Sequence, residues 1–134
     1  MSAVKRLGDA EKILSELRAS KKDSFDSNLT EFVKSIYEAC NALLDEYNRK
    51  FDCGAGHSSL EKFKSRAKKL GRVDAISFLV WYEKEFRAIR DDPSAGILLE
   101  KREASGMSRE QAIEACSILL ERTRSLVYGA YERF

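Results

Sequence analysis

The chain has 134 residues, 43% hydrophobic and 34% charged, with a formal net charge of +2. That length fits a single domain spanning residues 1–134 with enough apolar material for a core, and one proline with seven glycines is too little punctuation for a turn-rich β-sandwich or barrel. No apolar run approaches the roughly 18 residues of a membrane span, and Met1 to Arg6 lacks the apolar stretch of a signal peptide, so a cytoplasmic protein with no membrane partner is expected.

In chain order, Leu7, Ala10, Leu14 and Leu17 mark a first helix, with Ile13 beside the stripe. The polar connection Ser20-Lys21-Lys22-Asp23 closes it. A much longer stripe follows through Phe25, Leu29, Phe32, Val33, Ile36, Cys40, Leu43, Leu44, Tyr47 and Phe51, about seven helical turns. Asp23, Ser24 or Ser27 is its expected N-cap, and the loop at Gly54 to Gly56 ends it. Two antiparallel neighbours are expected from so short a connection.

Ser58 or Ser59 is placed to cap a third helix, with Glu61 in its first turn, a stripe of Leu60, Phe63, Ala67 and Leu70, and Gly71 as its stop. A fourth helix runs from Val73 to Arg90 on Ile76, Leu79, Val80, Phe86 and Ile89, widened by Phe78, Trp81 and Tyr82. Trp81 and Tyr82 diverge by about 100° on a helix, so one of them is expected at a rim or self-association surface, with Trp81 assigned to the core. Asp91-Asp92-Pro93 breaks the helix, since the residue before proline leaves the α region. Ile97-Leu98-Leu99 leads into Glu100 to Ser105, and Gly106 interrupts. Ser108 then opens a last helix with Gln111 in a capping box, carrying Ala112, Cys116, Leu119, Leu120, Thr123, Val127, Ala130 and Phe134. The expected fold is all-α, an up-and-down helical bundle of five to six helices.

The small net charge hides an uneven distribution. Residues 61–72 hold six bases (Lys62, Lys64, Arg66, Lys68, Lys69 and Arg72) against Glu61 alone, whereas residues 73–100 hold six acids against three bases. A helix apolar on one side and basic on the other is the footprint of phosphate contact. It is equally the solvated face of a helix paired with an acidic neighbour.

Catalytic and metal-binding patterns are scarce. Cys40, Cys53 and Cys116 show no CxxC spacing, and Cys40 and Cys116 fall on apolar stripes, so reduced, buried thiols are expected for those two. Cys53 lies four residues before His57, the single histidine, in a glycine-bearing loop. The two are able to give two metal ligands, or a thiolate and its base, but nothing completes either set, and an ordinary loop is the simpler reading. No nucleotide-binding glycine loop or metalloprotease motif occurs. No metal or cofactor is implied.

The stretch Phe78-Leu79-Val80-Trp81-Tyr82-Glu83-Lys84-Glu85, then Arg90-Asp91-Asp92-Pro93, then Leu98-Leu99-Glu100-Lys101-Arg102, resembles the signature of HEPN (higher eukaryotes and prokaryotes nucleotide-binding) domains. Leu29-Thr30-Glu31-Phe32, on the long helix Phe25 to Phe51, is similar to a Leu-x-x-Phe element of one branch of that family. The resemblance spans about two-thirds of the chain. It implies a helical bundle, frequently a homodimer, and in many members a metal-independent RNase whose motif is Arg, a polar residue, a spacer and then His. Carried onto this chain, the arginine is Arg102 and the polar position is Glu103. The histidine falls at 107, 108 or 109, which are Met107, Ser108 and Arg109. Without that histidine, Arg102 is able to bind phosphate but not to move protons near neutral pH. No HEPN-type nuclease activity is expected.

Two readings follow. One is a non-catalytic HEPN-like module that binds RNA or a nucleotide through Lys62, Lys64, Arg66, Lys68, Lys69, Arg72 and Arg102. The other is a protein-interaction or homodimerisation domain with no nucleic-acid role, in which Arg102 is an exposed helix residue paired with Asp91, Asp92 or Glu103.

Overall fold

Apolar spacing of three and four residues becomes helix along nearly the whole chain. The computed structural model describes residues 2–19, 22–54, 59–100, 102 and 105–134. Six helices occur among them: α1 (Ala3–Ala19), α2 (Lys22–Lys50), α3 (Leu60–Leu70), α4 (Val73–Arg90), α5 (Pro93–Glu100) and α6 (Arg109–Arg133). No strand occurs among the described residues. The expected all-α bundle is observed.

Helix ends follow local chemistry. The Ser2 hydroxyl accepts from the Lys5 amide at 3.1 Å, and the Ala3 amide donates to Glu46 Oε1 of α2 at 2.7 Å. The first turn of α1 thereby gains a cap and a carboxylate where the dipole favours one. Ser59 is the cap of α3, accepting from the Lys62 amide at 3.3 Å. At the other end Gly71 takes φ 64°, with Gly71 N–H bonded to Lys68 O and Arg72 N–H to Ala67 O. That double bond is a Schellman stop, which requires a left-handed residue. The Ser108–Gln111 capping box is present in full.

Two expected ends differ. Since α2 already starts at Lys22, Asp23, Ser24 and Ser27 are residues of the helix itself, within its first turns, and not the residue before it. Pro93, expected only as a breaker, is the first residue of α5, where its missing N–H costs nothing. Asp92 caps that helix through Oδ1, which accepts from the Ser94 amide at 2.8 Å; α5 ends at Glu100, and Arg102 sits in the turn beyond it.

Contacts between helices set the directions. Arg6 of α1 meets Glu38 of α2 at 2.8 Å and Ala3 meets Glu46, so α1 and α2 are antiparallel. The Tyr82 hydroxyl of α4 donates to Cys40 O of α2, and the Tyr47 hydroxyl of α2 donates to Ala130 O of α6, each at 2.9 Å. Tyr47 also stacks on Phe78 at 4.3 Å between ring centroids. The four longer helices α1, α2, α4 and α6 therefore run up, down, up and down. α3 lies against α4, and α5 lies against α2 and α6.

The core joins the buried stripes of α1, α2, α4 and α6 and is densest around Phe78. Tyr47, Phe51, Phe63, Trp81, Tyr82 and Phe134 all lie within 6.5 Å of its ring centroid. Thr123, a polar residue on the α6 stripe, is fully buried because its hydroxyl returns to Leu119 O at 2.8 Å. The assignment of Trp81 and Tyr82 is reversed. Tyr82 is in the core, whereas Trp81 is half-buried over the end of α6. There it meets Gly129, where an added Cβ would come within 3.0 Å of the indole.

Candidate functional site

The seven basic residues marked by the sequence do not form one surface. Phe63 and Ala67 face the core from α3, and helical spacing puts Lys64 and Lys68 on one flank of them and Lys62, Arg66 and Lys69 on the other. Lys64 reaches α4, where its ammonium bonds Glu83 Oε2 at 3.1 Å. Arg66 turns to the preceding loop, and its Nε donates to Cys53 O at 2.9 Å. Lys62, Lys68, Lys69 and Arg72 are exposed. Of the six bases of residues 61–72, one pairs with the acidic neighbour and four face solvent.

Arg102 is not exposed, and it pairs with Asp26 rather than with Asp91 or Asp92. Its side chain is 12% exposed, with Nε on Asp26 Oδ1 at 2.6 Å, a second nitrogen on Asp26 Oδ2 and a third donating to Met107 O, both at 3.1 Å. The guanidinium also lies over the Phe25 ring, 5.1 Å from its centroid, and Arg109 approaches the same ring at 4.5 Å. Asp91 pairs instead with Arg90, and Asp92 with Arg122. Glu103 lies outside the described residues. Hydrogen bonding from Arg102 is the main cause holding the Asp26 carboxyl below the usual carboxylate range.

The positions that the HEPN motif would give to histidine each have another task. Met107 offers its carbonyl to Arg102, Ser108 caps α6, and Arg109 covers Phe25. Burial pushes the Cys40 and Cys116 thiols up to about 12, and it raises Cys53 as well. Cys53 lies in the loop after α2, as expected, and is fully buried there, its thiol donating to Phe51 O at 3.8 Å. His57 lies outside the described residues. Among those described, no group of three or more His, Cys, Asp or Glu is placed to hold a metal.

The surface feature that sequence spacing missed is on α4. Val73 is 72% exposed and Val80 67%, with half-buried Ile76 between them, and Leu70 at the end of α3 is itself 44% exposed. Positions 73, 76 and 80 share one helix face. The core instead takes Ala75, Phe78, Leu79, Tyr82 and Ile89. The stripe Ile76, Leu79, Val80, Phe86 and Ile89 thus spans two faces of a helix that is apolar on both. Between α3 and α4 a groove of about 200 Å³ is lined by Lys64, Lys68, Ile76, Leu79, Val80 and Glu83. The clefts along α1, by contrast, are lined by charges that pair with one another, such as Arg124 with Glu11 and Arg6 with Glu38.

No protein-family model, curated protein or solved structure matches the chain. No helix among the described residues is long and apolar enough to cross a membrane.

Proposed function

We propose that the chain is a non-catalytic helical module that binds a partner through the outer face of α3 and α4. The observation that carries this reading is the exposure of Val73 and Val80 on one face of α4. Burying a valine or leucine side chain contributes about 1.5–3 kcal/mol when complete, so covering Leu70, Val73 and Val80 yields several kcal/mol before the costs of association. The latching of Arg102 by Asp26 and the raised thiols support the absence of catalysis. The up-and-down order of long helices, with Asp92-Pro93 between α4 and α5, is in keeping with a degenerate HEPN-like domain, and a homodimer through this face is one form the module takes under that resemblance.

A second reading, binding of RNA or a nucleotide, is supported by the four exposed bases Lys62, Lys68, Lys69 and Arg72. It is weakened by the engagement of Lys64, Arg66 and Arg102 with Glu83, Cys53 O and Asp26. Dye binding tests the first reading. Anilinonaphthalene sulfonate, an apolar anion, is expected to brighten on the native chain, and the double variant Val73→Ser, Val80→Ser is expected to lose most of that signal while keeping its helical circular dichroism. An undiminished signal in the double variant would contradict the reading.

A further inference from the structure

The nature of the partner follows from the charge around the groove. We propose that the groove between α3 and α4 takes an acidic amphipathic helix of another protein, an inference that rests on the interaction reading above and adds the chemistry of the occupant.

Ile76, Leu79 and Val80 form an aliphatic floor, and Lys64 and Lys68 stand on one wall. The acid of the groove, Glu83, is already bonded to Lys64 at 3.1 Å. At the start of the face lie exposed Lys68 and Arg72, and helical spacing continues the line Val73, Ile76, Val80 into Lys84 and Arg87, also exposed. Both ends of the apolar strip are therefore basic. From Val73 to Arg87 the strip is about 21 Å long at 1.5 Å per residue, a match for three to four turns of a partner helix. Aliphatic side chains at i, i+3, i+4 and i+7 of that helix would fill the floor, and carboxylates on its two edges would meet the bases.

Other occupants fit less well. A twofold copy of this chain sets the same patch against itself, and with bases at both ends the alignment that buries the whole strip brings base against base. A single-stranded nucleic acid needs aromatic platforms to stack on, and the floor is aliphatic. An anionic membrane takes an apolar face flanked by Lys and Arg with bulky anchors such as Trp or Phe. Here the apolar floor is concave and Trp81 lies at the far side, against Gly129.

The test uses the full chain, labelled with ¹⁵N, and two stapled helical peptides of about four turns with identical leucine faces. One carries glutamates on both flanks, the other lysines at the same positions. The acidic peptide is expected to shift the amides of Leu70, Val73, Ile76 and Val80, the basic twin to bind more weakly by on the order of tenfold, and Val80→Glu to abolish the shifts with the helical circular dichroism retained. Equal affinity of the two peptides at this face would overturn the acidic partner and leave the interaction face standing. Absence of shifts at this face with either peptide would overturn both. Sedimentation showing a dimer that Val80→Glu dissociates would assign the face to a second copy. Binding to phosphatidylserine vesicles that Val80→Glu removes, with the acidic peptide silent, would assign it to a membrane. Either result overturns the proposal.

Discussion

Arg102 and Asp26, 76 residues apart in sequence, form a two-pronged ion pair that ties the turn before α6 to the first turns of α2. The arginine is nearly buried and the aspartate half-exposed, and Phe25 lies under the guanidinium. Arg102→Ala removes charge-assisted hydrogen bonds together with the ring contact, and is expected to cost about 2 kcal/mol in denaturant unfolding. Arg102→Ala and Asp26→Asn are expected to be strongly non-additive in a double-mutant cycle.

The same pair sets an acid dependence. Because the folded carboxyl titrates below its ordinary value, the stability it contributes is present above the unfolded aspartate value of about 3.9. It is lost as pH falls through the lower folded value. Asp26→Asn is therefore expected to be less stable than the parent at neutral pH and to converge on it in acid, read from unfolding midpoints between neutrality and acid. A constant gap at all pH values would show that Asp26 is not titrating against Arg102.

Gly129 permits the seat of Trp81 on α6, since a Cβ there meets the indole at 3.0–3.3 Å. Gly129→Val is expected to destabilise the fold by about 1–3 kcal/mol through overpacking and to shift the tryptophan emission to the red as the ring is pushed into water. Trp81 is the single tryptophan, so the emission reports on this side chain alone.

All three cysteines are buried, and the thiols of Cys40 and Cys116 are pushed up to about 12. Thiolate is the reactive form. At pH 8 the native chain is expected to react with a thiol reagent only as fast as it opens, and all three thiols are expected to react at once in denaturant. A rapidly reacting native thiol would reveal a site that the fold does not show.

For nucleic acid, generic RNA is expected to survive incubation with the chain in EDTA. If RNA binds through Lys62, Lys68, Lys69 and Arg72, the log–log salt slope is expected near −3, from about −0.7 per phosphate neutralised, and reversal of Lys62, Lys68 and Lys69 should flatten it. A shallow slope that this triple reversal leaves unchanged would remove the RNA reading.

Helix existence was legible in the sequence because it rests on local periodicity and caps. The α6 capping box, Ser59 and Gly71 were all readable from a few adjacent residues. What failed depended on tertiary contact. On α4, the Ile76–Val80 and Phe78–Tyr82 faces are both apolar, and only packing against Cys40 and Tyr47 of α2 decides that the second one is buried. Asp91 and Asp92 were poor guides to the partner of Arg102 for the same reason, since they are taken by Arg90 and Arg122. The basic run was visible as composition, but its division over two flanks of α3 required knowing where Phe63 and Ala67 point.

The outer face of α4 is tested most directly in the cell that makes the protein, with a photoreactive benzophenone side chain in place of Val80 and, as control, in place of exposed Glu31 on α2. Illumination is expected to give a discrete cross-linked adduct from position 80, none from position 31, and none from position 80 when Val73→Glu is also present. No adduct from position 80, or the same adducts from both positions, would contradict the account.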